Sequence, residues 1–229
     1  MKREDCPFCG CPDSKPSGVA AYPKVGIKPF KDSKIVECDE CKGQYTDIVP
    51  TESSFESMYT KDYGKQKQGL VRFQRAFGDD VEFGEDTPVL EVGGGTVGVR
   101  AICERYWNVD LRGCADFQYP FESMPDEDVT KCREEGVRAI VTCDCIEHVL
   151  YPDEFFAMAA RILPPGGRMY MQSGECKETD KVYPRNDRQA AHINCPSENS
   201  IRIMCGDEFD WVSGDCVGEW GWVFARTGD

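Results

Sequence analysis

The chain has 229 residues, 40% of them apolar and 11% aromatic, enough for one good-sized domain with a small appendage and too much packing material for bulk disorder. Its formal net charge is −14, which argues against binding along an extended nucleic-acid duplex while leaving contact with a structured RNA open. No run approaches the length of a membrane span, and the opening "MKREDCPFCG" lacks an apolar signal core, so the expectation is a cytoplasmic protein with no membrane partner.

Fourteen cysteines are many for a reducing compartment. Without a signal sequence, thiolates and metals explain them better than disulfides. The pairs Cys6/Cys9 in "CPFCG" and Cys38/Cys41 in "CDECKG" are both Cys-x-x-Cys followed closely by glycine. Four thiolates suit tetrahedral zinc, because a two-residue gap lets one tight turn present both sulfurs to the same ion. Cys11 is a spare that could replace Cys9, and a redox pair is the competing reading. Residues 1–45 are therefore expected to form a small zinc ribbon, held by Cys6, Cys9, Cys38 and Cys41, with the metal in a structural role.

Residues 46–86 read as a connector in which Leu70, Val71, Phe73 and Phe77 mark one face of an amphipathic helix. Tyr59 and Tyr63, four apart, could share a helix face and cover a ligand or simply pack.

From residue 87 the pattern alternates strand and helix. "PVLEV" is a short buried strand, and "VGVRAICERY" carries Val99, Ile102, Cys103 and Tyr106 at helical spacing. "WNVDLRGCADF" reads as a second strand and "VRAIVTCDCIEHV" as another that runs into a loop. "PDEFFAMAARIL" is a helix with Asp153 as N-cap and Phe155, Met158, Ala159 and Ile162 on one face, stopped by "PPGG" before the strand "RMYMQS". "FDWVSGDCVGEWGWVFAR" reads as two strands joined by a turn. The expected fold is α/β: a doubly wound, mostly parallel sheet of about seven strands over residues 87–229, closed by an antiparallel C-terminal hairpin and preceded by the ribbon.

The glycines of "LEVGGG" stand at the end of the first strand of that sheet, where open α/β sheets bind ligands. An acid within the strand, Glu91, is costly unless it faces a cation or bound water. In order and spacing, "LEVGGG", "CDCIEHV" and "LPPGG" together resemble the class I S-adenosylmethionine-dependent methyltransferases, over roughly residues 89–172. The resemblance implies that Glu91, Gly93, Gly94 and Gly95 surround the methionine part of S-adenosylmethionine. It also implies that an acid ending the second strand takes both ribose hydroxyls. Asp116 is the first choice, with Phe117 beside the adenine, and Asp110 is the alternative. Asp144 and Cys145 are expected to line the cofactor pocket, with Tyr63 as a cover.

Val97 stands where many relatives have another glycine, and the third strand is expected to be reduced. Methyl transfer from a sulfonium needs mainly alignment, and a base only if the acceptor loses a proton. His148 and His192 are the two histidines available as that base. Arg185 and Arg188 could hold an anionic group or be solvated surface. Cys143, Cys145, Cys176 and Cys195 form no metal pattern with His192 and are read as packing. The leading expectation is a methyltransferase for a small molecule, such as a sugar or nucleotide-linked metabolite. The alternatives are an RNA base methyltransferase that docks through its ribbon and a degenerate fold acting as a binding module.

Overall fold

The computed structural model describes residues 3–16, 34–48, 73–74, 76–77, 81, 84–93, 99–111, 115–173, 193–215 and 221–228. The readings placed on Tyr59, Tyr63, Leu70, Val71, Gly94, Gly95, Val97, Cys176, Arg185, Arg188 and His192 lie outside them.

The larger sheet has six strands. Four are mutually parallel: β4 (Val89–Val92), β5 (Tyr106–Val109), β6 (Ala139–Cys143) and β7 (Arg168–Gln172). β9 (Phe209–Asp215) and β10 (Gly221–Arg226) form the antiparallel hairpin, giving the order β5-β4-β6-β7-β10-β9. The reduced third strand survives as one parallel bridge between Val109 and Phe117.

Side chains alternate across this sheet, as a strand period of two requires. Leu90, Val92, Ile140, Met169, Met171, Trp222 and Phe224 enter one core, with α1 (Asp126–Glu134) and α2 (Pro152–Ile162). Val89, Ala139, Val141, Tyr170 and Val223 enter the other, covered by Phe73 and Phe77. Phe73, Gln74, Ala76 and Phe77 are helical, and both rings pack edge-on against Tyr170. Covering both faces is what lets parallel strands be apolar throughout.

Three local expectations change. Val99–Ala101 is a single 3-10 turn rather than the start of a helix. Tyr106 opens β5 in register with Val89, which removes it from any helical face. At α2 the cap position belongs to Tyr151, Pro152 occupies the first turn, and Asp153 is an acid in that turn instead of the N-cap.

Two helices go beyond the sequence reading. α1 follows Pro125, with Asp126, Glu127 and Asp128 at its positive end and Lys131 and Arg133 at its negative end. α3 (Glu198–Cys205) starts at Ser197, whose hydroxyl accepts from the Ser200 amide.

The second sheet has the order β1-β2-β3-β8, all antiparallel. β1 (Ser14–Pro16), β2 (Ile35–Cys38) and β3 (Gln44–Thr46) come from the ribbon, whereas β8 (Asn194–Cys195) comes from the segment before α3. Ribbon and body therefore share a sheet.

Candidate active site and metal centre

The ribbon is built from two matching turns. In the first, the Gly10 amide donates to the Cys6 carbonyl; in the second, the Lys42 amide donates to the Cys38 carbonyl. Each turn needs a left-handed residue at its exit, which is Gly10 (φ 70°) and, in the second turn, Lys42 (φ 62°). Gly43, beyond that turn, makes room for an aromatic ring, because a Cβ there would lie 2.5 Å from Phe8.

The turns bring Cys6, Cys9, Cys38 and Cys41 together, with all four sulfurs within 4.8 Å of one another. The Cys6–Cys41 and Cys9–Cys38 sulfur pairs are each 3.6 Å apart. A tetrahedron of zinc–sulfur bonds of about 2.3 Å has edges of about 3.8 Å, so the donor set fits that ion. The Cys41 thiol beside Cys6 donates to it and lowers the Cys6 thiol below its usual range, which favours a thiolate ligand. Cys11 stays outside the group, its sulfur accepting from the Asp13 amide, which resolves the choice between Cys9 and Cys11. Among the described residues this is the one cluster of metal-ligating type; Cys143, Cys145 and Cys195 are separate packing residues.

In the larger sheet the chain leaves β4 for β5 on one side, whereas β6 connects onward to β7 on the other. The carboxyl ends of β4 and β6 therefore flank a crevice, the place where open α/β sheets take ligands. A cleft partly open to solvent lies there. Its strand-end wall is Val92 and Gly93 of the β4 end, Val109 and Asp110 of the β5 end, and Cys145 beyond β6. Tyr119, Phe121, Phe155, Val149 and Leu150 make the rest mostly apolar, with Glu122 and His148 as polar exceptions.

Gly93 is left-handed (φ 74°), and a Cβ there would meet the Cys145 sulfur at 3.1 Å. The glycine thus serves both the turn and the close approach of two strand ends. Glu91, one residue inside β4, is 2% exposed and accepts from the Val99 amide (3.0 Å) and the Tyr106 hydroxyl. Burial pushes its carboxyl up to about 7 against the pull of those two donors, and the nearby Asp110 adds to the rise. Glu91 therefore fastens the far end of the glycine loop, at Val99.

The acid at the end of β5 that lines the cleft is Asp110, which is 6% exposed. Asp116 is exposed, and its carboxylate accepts from the Asn108 amide. Phe117 lies in the core with the Lys131 ammonium 5.2 Å above its ring; the aromatic wall is made instead by Tyr119, Phe121 and Phe155. Asp116 and Phe117 are joined to the β5 end by the Asn108–Asp116 hydrogen bond and the Val109–Phe117 bridge.

Asp144 is half-buried and left-handed (φ 49°), a conformation aspartate tolerates better than most residues. Its amide donates to the Gln172 carbonyl, and the turn it makes delivers Cys145 to the cleft. Burial pushes the Cys145 thiol well above its usual range, so the residue is a neutral wall. His148 is buried in a 3-10 turn (Ile146–His148) and lines the cleft. Glu122 carries no motif that would single it out in the sequence. It accepts from the Leu150 amide, and burial raises its carboxyl.

The sequence matches no protein-family model and no curated protein. Among solved structures it is similar to a chain of the Haloferax volcanii complex between the Trm112 methyltransferase activator and a methyltransferase candidate. That match has 14% identity and a TM-score of 0.54, and it covers 79% of this chain and 100% of that one. Looser matches are the N-methyltransferase NodS of Bradyrhizobium japonicum (13% identity, 78% and 100% covered, TM-score 0.45) and a SAM-dependent methyltransferase of Aquifex aeolicus (14%, 76% and 98%, 0.45). At these identities the likeness is one of fold. The chain has the α/β fold of the S-adenosylmethionine-dependent methyltransferases, preceded by a four-cysteine ribbon. Among the described residues no helix is long and apolar enough to cross a membrane.

Proposed function

We propose that this protein is an S-adenosylmethionine-dependent methyltransferase acting on a small molecule, with a structural zinc ion in its ribbon. The observation that carries the reading is the cleft at the sheet's switch point, lined both by Gly93 and by a buried acid, Asp110.

In this reading the Gly93 backbone, extended by Gly94 and Gly95, cradles the methionine part, and Glu91 keeps that loop fastened. Asp110 replaces Asp116 as the acceptor for two ribose hydroxyls, since one carboxylate has four lone-pair sites. Tyr119, Phe121, Phe155 and Leu150 offer the apolar slot for the purine. When bound, the cofactor supplies an activated methyl group on a sulfonium, so the protein's part is alignment and exclusion of water. Where the acceptor must lose a proton, His148 is the base at the cleft wall, and His192 remains the second candidate. The acidic chain favours a neutral or cationic acceptor over a polyphosphate.

Calorimetry with S-adenosylhomocysteine tests the reading directly. Binding is expected in wild-type protein and weakened binding in Gly93→Val; absence of heat at millimolar ligand overturns it.

A further inference from the structure

The ribbon does not hang from the body. One ribbon residue, Arg3, and the β8 segment that pairs with ribbon strand β3 both reach one short segment, residues 147–150, which carries the far wall of the cleft. Seen from the cleft, this segment presents the side chains of His148, Val149 and Leu150. Three of its carbonyls are taken by donors remote in sequence. The Arg3 guanidinium donates to Leu150 O at 3.1 Å, the Asn194 amide side chain to Val149 O, and the Ile193 amide to Glu147 O at 2.9 Å. Ile193 O in turn accepts from the Thr46 amide of β3, beside the β3–β8 pairing.

The metal knuckle holds the other end of this chain of contacts. Cys41 O accepts from the Ser197 hydroxyl, the cap of α3, and Glu40 O accepts from the Asn199 side chain. A carbonyl in such a segment has no helix or sheet partner of its own, so losing a remote donor leaves it unsatisfied or lets the segment move. Arg3 is a half-buried cation that makes one hydrogen bond to this segment. Its guanidinium carbon stands 5.8 Å from the Tyr45 ring centroid, and among the described residues its buried Nε and Nη1 have no hydrogen-bond partner. Such an arrangement contributes little to stability by itself and places one donor at one carbonyl.

Resting on the methyltransferase reading, we propose that Arg3 and Asn194 are positioning residues for the cofactor cleft and that the metal-loaded ribbon sets its affinity. The ribbon holds the His148–Leu150 wall, so the cleft is preorganised only when the knuckle geometry is intact.

The test uses full-length, metal-loaded protein, the same protein after metal extraction by a chelator, and the variants Arg3→Ala, Arg3→Lys and Asn194→Ala. Calorimetry with S-adenosylhomocysteine is read alongside metal content, far-UV circular dichroism and amide exchange of peptides spanning 144–150. Arg3→Ala and Asn194→Ala are expected to keep metal and secondary structure, bind at least about tenfold more weakly and exchange faster over 144–150. Arg3→Lys, which keeps a donor, recovers part of the loss. A merely structural role would lower the melting temperature and leave the dissociation constant unchanged, and that result overturns the proposal. If extraction unfolds the chain, the two metal-retaining alanine variants decide. If loaded wild type does not bind the ligand, the methyltransferase reading falls; unchanged exchange over 144–150 in those variants would then overturn the clamp independently.

Discussion

The Glu91 carboxylate, buried in β4, accepts the Tyr106 hydroxyl of β5 and the Val99 amide at once. One acid thereby ties two adjacent parallel strands to the end of the glycine loop. Because burial outweighs the two donors, its carboxyl titrates near 7 in the folded chain against an ordinary value of 4.5.

The sign of the resulting pH effect follows from linkage. Between pH 4.5 and 7 the folded state holds a proton at Glu91 that the unfolded state has released, so stability falls as pH rises through that window. The full effect is on the order of 3 kcal/mol. Urea unfolding of wild type and Glu91→Gln at pH 5 and pH 8 checks this: the variant should lose less stability than wild type over that interval. Parallel losses would sink the assignment.

Gly93 carries two separable constraints, its left-handed backbone and the 3.1 Å approach of a Cβ to the Cys145 sulfur. Gly93→Ala should destabilise the protein by about 1–3 kcal/mol. Adding Cys145→Ala should return only the steric part. A double variant no more stable than the sum of the two single losses would show that the contact is soft.

The two aspartates at the β5 end should part company in ligand binding. Asp110→Asn should weaken S-adenosylhomocysteine by about 10–100-fold, the scale of hydrogen bonds to a charged group. Asp116→Asn, which keeps an acceptor for the Asn108 amide on the exposed side but removes its charge, should lower stability slightly and leave the dissociation constant within about threefold. Equal losses in calorimetry would return the ribose to Asp116.

Metal analysis of purified protein should give about one zinc equivalent, lost on replacing Cys38 and Cys41 by serine. Because thiolates are the ligands, release should also occur on acidification, followed with a colorimetric chelator. A folded, metal-free protein with all four thiols reactive would refute the site.

Much of this architecture is legible in the chain. Buried strands announce themselves by composition, as "VLEV", "AIVTC" and "RMYMQ" do, and two matched Cys-x-x-Cys turns point to a single tetrahedral ion. The end hairpin is visible in its aromatic strands and intervening turn residues. α1 and α3 are harder to see, though the charge polarity of one and the Ser197–Ser200 cap of the other are readable signals.

What sequence alone determines is local: strand, turn, metal-ligand spacing and the glycine that ends β4. These depend on neighbours within a few residues, where sterics and periodicity act directly. Which of two acids faces the cleft is a question of register, decided where Phe117 bridges Val109 and turns Asp116 outward. The union of ribbon and body lies further beyond local reading. β8 is only two residues long, and its partner strand β3 lies some 150 residues earlier, so that pairing exists only where the tertiary fold brings both edges together.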